Sequence, residues 1–287
     1  MGPQRIVSKD ARRPVTIDSH VHFWRYNSAE YGWIDETMSG LRRDFMPDDA
    51  LAVMTPAGID ACVVVQVRQT LEETRWMLQL ADRHSFIAGV VGWIDLRSAD
   101  LDAHIESVAH PKLVGVRHIV QAEPDDFLLD RGFRQGVERL ARHGLAYDIL
   151  IYARQMPAAI EFASRLPGIR LVLDHLGKPD ITRNGFDSWR RDLDRMAALP
   201  NVCAKLSGLV TEADWNRWTI EDLHRYVDAA IDALGPERLM FGSDWPVCTL
   251  AARYDEVMNV IRTAIDERPQ SEQDSIFGGA ARRFWRL

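Results

Sequence analysis

The segment Thr16-Ile17-Asp18-Ser19-His20-Val21-His22-Phe23-Trp24 decides how the rest of the chain is read. It starts as an apolar run and ends in two histidines one residue apart. Side chains alternate along a strand, so His20 and His22 share a face. A doubly wound nucleotide-binding sheet would carry a Gly-rich GxGxxG turn after its first strand, and none stands here. Two imidazoles at a strand end form a ready pair of metal ligands or oxyanion donors.

Seven further short apolar runs follow, at 61–67, 87–94, 113–120, 146–151, 170–174, 202–206 and 239–243, after the first at 15–22. Amphipathic stretches separate them at 72–84, 101–109, 133–143, 157–166, 189–199 and 223–234. Breakers such as His143-Gly144, Leu166-Pro167-Gly168 and Leu234-Gly235-Pro236 end several of these helices. Buried strands alternating with helices read as repeated parallel βαβ units. Eight of them predict a closed (β/α)8 TIM-type barrel, with the tail from Tyr254 to Leu287 as one or two closing helices around Gly278-Gly279. The 287 residues suit one such barrel, which needs about 250. The chain therefore reads as a single domain over 1–287, with residues 1–13 a flexible extension.

Hydrophobic residues make up 46% of the chain, enough for a sizeable core, and the net charge is −7. Acidic and basic residues are interspersed, which leaves no basic footprint for nucleic acid and no polybasic membrane patch. Cys62, Cys203 and Cys248 are an odd, widely spaced set without CxxC and read as small core residues in a reducing compartment. The polar start lacks the apolar core of a signal peptide, and no apolar run approaches the roughly 20 residues of a membrane span. The expectation is a cytoplasmic enzyme acting on a small molecule.

In a barrel of this kind the chemistry sits at the C-terminal ends of the strands. The sixth run ends Leu173-Asp174-His175-Leu176-Gly177-Lys178-Pro179. Its parity with Leu171 and Leu173 turns His175 toward the barrel mouth and Asp174 toward the helices. The eighth ends Gly242-Ser243-Asp244-Trp245-Pro246, and an apolar strand that delivers a carboxylate needs a partner for it. Three histidines, or a metal they hold, supply one, and Asp244 can then take a proton from water; the plainer alternative is a helix N-cap. In the fourth run, Val114 and Val116 share the parity of His118, which points His118 inward and leaves Arg117 to reach the pocket only if the strand has turned. Arg68, Asp148 and Lys205 lie at or within other strands and serve either polar substrate groups or structural salt bridges. Trp24, like Trp93, Trp215 and Trp245, is either an aromatic platform for a ring or rim packing. No G-x-S-x-G elbow supports a serine nucleophile.

Four motifs in this order resemble a known group: Ile-Asp-Ser-His-Val-His-Phe-Trp, Leu-Asp-His-Leu-Gly-Lys-Pro, Lys-Leu-Ser-Gly-Leu-Val-Thr-Glu-Ala and Met-Phe-Gly-Ser-Asp-Trp-Pro-Val. Together they are similar to the amidohydrolase-related sugar lactonases, the L-fuconolactonase and L-rhamnonolactonase group, over nearly the whole chain. The resemblance implies a barrel that hydrolyses an aldonolactone to the open hydroxy acid. It maps the first-strand pair to His20 and His22, the sixth-strand histidine to His175 and the eighth-strand aspartate to Asp244. It also implies either one divalent ion such as zinc on those four residues or catalysis without metal. His118, Arg117, Arg68, Lys205, Trp24 and Asp148 are the expected substrate contacts. The alternatives are a metal-dependent decarboxylase of the same superfamily and a pyrone-type lactonase.

Overall fold

The computed structural model describes residues 14–183 and 185–287; the extension expected at 1–13 lies outside the described residues. Eight strands form one sheet in sequence order: β1 (Ile17–Val21), β2 (Ala61–Val65), β3 (Ile87–Gly92), β4 (Leu113–His118), β5 (Ala146–Ile149), β6 (Leu171–Leu173), β7 (Val202–Leu206) and β8 (Leu239–Phe241). Every neighbouring pair is parallel. The ends of β8 and β1 meet through a parallel bridge between Val21 and Trp245. The His22 amide donates to the Trp245 carbonyl at 2.7 Å, and the Asp244 amide donates to the His20 carbonyl at 2.9 Å. The sheet thus curls into a (β/α)8 barrel, as the alternation of runs predicts.

The predicted helices appear as Leu71–Arg83, Leu101–Ser107, Arg131–Leu140, Met156–Ser164, Phe186–Ala197 and Ile220–Leu234. A helix at Pro47–Met54 was not predicted. Its signal is a proline at the first turn with Asp48 and Asp49 beside it, the residue types that helix N-termini favour. The tail forms helices at Tyr254–Ile265, Gln270–Asp274 and Ala280–Trp285. The last of these lays Phe284 and Trp285 against the barrel interior, in one cluster with Val63, Val65, Val91 and Val172.

Two packed layers result. Small and β-branched side chains, among them Ile17, Ala61, Ala146 and Val172, fill the barrel. Larger ones, including Tyr147, Leu171, Leu173, Leu206 and Phe241, face the helices. This size sorting is what a barrel interior imposes, and it corrects two parities. Leu171 and Leu173 point outward and Val172 inward, so regular alternation aims Asp174 into the barrel, not at the helices. In β4 the pairing register shifts between Val90 and Val91 on β3, setting Leu113 and then Gly115 opposite them. That bulge reverses the parity beyond it. Arg117 is the inward residue. His118 is turned out, stacked on Phe127 at 5.0 Å with Glu123 on its Nε2 at 3.0 Å.

Candidate active site

At the C-terminal mouth of the barrel a cavity of about 520 Å³ opens over the strand ends. Its floor carries His22, Arg117, His175 and Asp244. Trp33, Trp215 and Tyr152 supply aromatic wall, and Gln121, Lys178 and Glu212 supply polar groups. The Lys178 ammonium pairs with Glu212 at 3.2 Å.

Each floor residue is set by local backbone. At the end of β1 the imidazoles of His20 and His22 do share a face, with their Nε2 atoms 3.1 Å apart. The Nδ1 of His22 contacts the Val65 carbonyl at 2.7 Å, and a carbonyl only accepts, so this nitrogen carries the proton and Nε2 faces Asp244. His175 and Leu176 sit at φ 53° and 52°, so the chain turns left-handed after β6. That turn swings His175 back over the mouth, where its Nδ1 meets Ser207 Oγ at 2.8 Å. Gly208, at φ 67°, leaves the space beside this ring: a Cβ there would lie 2.6 Å from His175 Nδ1. Asp244 is likewise left-handed, at φ 59°.

Asp244 Oδ1 lies 3.2 Å from His22 Nε2, 3.7 Å from His20 Nε2 and 3.9 Å from His175 Nε2. Burial alone would raise its pKa, but His175, the hydrogen bond to His22, and His20 oppose this and hold it well below the usual carboxylate range. Burial pushes His175 down to about 4 and His20 well below its ordinary value, with Lys205 adding to the latter. At neutral pH the centre therefore pairs an ionised Asp244 carboxylate with uncharged His20 and His175 imidazoles. Donor atoms of His20, His175 and Asp244 all lie within 4.8 Å of one another. A set of imidazoles with one carboxylate suits a borderline ion such as zinc.

Beneath the floor lies a charged layer in which no member exceeds 3% exposure. Lys205 Nζ lies 2.6 Å from Asp148 Oδ2, 2.8 Å from Asp174 Oδ1 and 3.1 Å from His20 Nδ1. Arg117 Nη1 reaches Asp174 Oδ2 at 3.1 Å and His20 Nε2 at 3.3 Å, and its Nη2 donates to the Gln66 carbonyl. Opposite charges this close can offset the cost of burying them only as a complete set.

The structure thus gathers His20, His22, His175, Asp244, Arg117, Lys205 and Asp148, but only four of these reach the cavity wall. Asp148 and Lys205 lie behind it. Arg68 pairs with Glu30 at 2.6 Å. Trp24 is buried against Phe45 with its indole N–H on the Arg43 carbonyl. His118 faces the helices. Asp174 was missed, as were the wall residues Gln121, Tyr152, Lys178 and Glu212 and the role of Asp18, whose carboxylate accepts the Ser243 and His20 amides and the Tyr254 hydroxyl. Alternating the smaller residues inward would have found Asp174; loop residues leave no such periodic trace.

A (β/α)8 barrel whose mouth holds imidazoles around one ionised carboxylate is the frame of a hydrolytic enzyme. The chain belongs to the amidohydrolase family, whose model matches residues 17–287. It is 43% identical to the L-fucono-1,5-lactonase of Burkholderia multivorans, covering 95% of this chain and 96% of that one. It is 41% identical to the L-fucono-1,5-lactonase of Burkholderia ambifaria, covering 84% and 83%. The crystal structure of an amidohydrolase from Burkholderia multivorans with bound zinc superposes with a TM-score of 0.93 at 42% identity, over 95% of this chain and 99% of that one.

Proposed function

We propose that the protein hydrolyses a sugar lactone, an L-fuconolactone or close aldonolactone, to the open hydroxy acid. The observation that carries this reading is Asp244, ionised and ringed by imidazoles on the floor of a cavity of about 520 Å³. Two relatives bearing the name L-fucono-1,5-lactonase, at 43% and 41% identity, point to the same chemistry.

Asp244 takes a proton from a water molecule held over the floor, and the oxygen attacks the lactone carbonyl. Arg117, a fixed cation at the cavity wall, faces the negative charge that develops on the carbonyl oxygen; a well-placed donor of this kind is worth about 3–4 kcal/mol. Protonated Asp244 then returns its proton to the ring oxygen as the C–O bond breaks. Gln121, Tyr152, Lys178 and Glu212 offer hydrogen bonds to ring hydroxyls, and Trp33 and Trp215 offer flat apolar surface. His20, His175 and Asp244, whose donor atoms lie within 4.8 Å of one another, would hold a divalent ion, with His22 beside them. When bound, it would polarise the carbonyl and lower the pKa of water toward about 7.

No described helix is long and apolar enough to cross a membrane. Cys62, Cys203 and Cys248 are free, and a cytoplasmic setting is part of this proposal. The test is a panel of aldonolactones followed by a pH indicator before and after chelation. Rapid opening of L-fuconolactone is expected; silence across the panel, or release of carbon dioxide from an aromatic acid instead, overturns the reading.

A further inference from the structure

Two segments of the cavity wall meet in an ion pair. Lys178 closes the turn that follows β6, and Glu212 ends the short helix Leu209–Glu212 that follows β7. Their Nζ and Oε1 atoms stand 3.2 Å apart, with the two side chains 16% and 17% exposed. Both residues line the cavity. The pair is sheltered without being sealed.

Its placement is built into the backbone. Lys178 lies at φ 49°, a left-handed position that glycine takes freely and a residue with a side chain does not. Its amide donates to the His175 carbonyl at 2.9 Å, so one turn aims both the floor imidazole and the ammonium. The ammonium is also 5.3 Å from the centre of the Tyr152 ring, whose face attracts a cation. On the segment of Glu212, the Trp215 indole N–H donates to the Thr211 carbonyl at 2.9 Å and fixes the aromatic wall there.

The chemistry of such a pair is selective. A ring hydroxyl both donates and accepts. An ammonium beside a carboxylate offers donors and acceptors to two neighbouring hydroxyls, and charge-assisted bonds are about twice as strong as neutral ones. The same pairing works against an anionic ring. The cavity wall carries two cations, Arg117 and Lys178, against two anions, Glu212 and Asp244. Arg117 is held by Asp174 at 3.1 Å and Lys178 by Glu212 at 3.2 Å. A carboxylate on the ring, away from the reacting carbonyl, would have to displace Glu212 from Lys178.

Resting on the lactonase reading above, we propose that Lys178 and Glu212 clamp two neighbouring ring hydroxyls, and that Glu212, by occupying Lys178, restricts the enzyme to lactones without a second acidic group. Glu212 is then a specificity determinant as well as a hydroxyl acceptor.

The test uses two matched ligands: L-fuconolactone, and the galactaric acid lactone of the same ring configuration, in which a carboxylate replaces the methyl group. Affinity is measured by calorimetry on full-length Asp244→Asn, which keeps the clamp and lacks the base; KM and kcat are measured with the base intact. Glu212→Gln and Lys178→Met should each weaken L-fuconolactone about 10–100-fold, with the loss in KM and Kd rather than in kcat. Glu212→Gln should bind the carboxylated lactone about tenfold tighter than its parent does, a gain that a misfolded site cannot produce, and Lys178→Met should show no such gain. An unaltered preference between the two lactones in Glu212→Gln overturns the proposal, as does a loss confined to kcat or a failure of Asp244→Asn to bind either ligand. Binding that responds to the pair without ring opening by the wild type would sink the lactonase reading alone. Ring opening indifferent to the pair would sink the clamp alone.

Discussion

Asp18 on β1 accepts the backbone N–H of Ser243, 225 residues away, at 2.9 Å. The same oxygen accepts the His20 amide at 3.0 Å, and the second oxygen accepts the Tyr254 hydroxyl at 2.9 Å. One buried carboxylate therefore sets the ends of the first and eighth strands relative to each other, and with them His20 and Asp244. Asp18→Ala strands two amides and a hydroxyl in the interior. The expected cost is about 3 kcal/mol, together with a loss of turnover. Asp18→Asn keeps the shared acceptor oxygen and should remain close to wild type in thermal melts; an equal loss in both variants would deny the tie its role.

Asp244→Asn keeps the shape of the side chain and removes the proton acceptor. We expect kcat to fall by about 10²–10⁴ with the far-ultraviolet circular dichroism unchanged. Near-normal turnover would take Asp244 out of the mechanism.

Gly208→Ala places a methyl group 2.6 Å from His175 Nδ1, at a positive φ. The backbone strain alone costs about 1–2 kcal/mol. The clash also drives the ring off Ser207, so turnover should fall by a larger factor than the modest drop in Tm suggests. Alanine here with full activity would mean that the His175–Ser207 contact is dispensable.

Glu73 is buried beneath the β2 loop, where it accepts the amides of Val67 and Arg68 at 3.0 and 2.7 Å. Burial lifts its pKa from 4.5 to about 7 against those hydrogen bonds. The folded protein then binds this proton more tightly than the unfolded chain, so stability from this group is present below pH 4.5 and is lost as pH rises toward 7. The full effect is about 3 kcal/mol. Glu73→Gln should flatten the fall in Tm between pH 5 and pH 8; a parallel pair of curves would rule this residue out as the cause.

The barrel was legible because each of its strands is a contiguous apolar run closed by a turn signal, and because His20 and His22 end the first of them. What escaped was decided by single residues of backbone. The shift opposite Val90 and Val91 turned His118 outward and Arg117 inward. The left-handed turn at His175 and Leu176 brought His175 to the mouth although its strand parity pointed it outward. A pattern of period two carries neither event. The wall residues Gln121 and Tyr152 lie in loops, where position depends on tertiary packing and leaves no trace in local sequence.

That separation has a bearing on how the enzyme can be remade. The reacting groups project from strand termini locked into the barrel, whereas Trp33, Tyr152, Lys178 and Trp215 occupy connecting segments outside it. Ring preference and reactivity are therefore inherited by different parts of the chain. Randomising the connecting segments alone is the economical library for retargeting the catalyst, since each clone keeps an intact chemical engine under a new receptor.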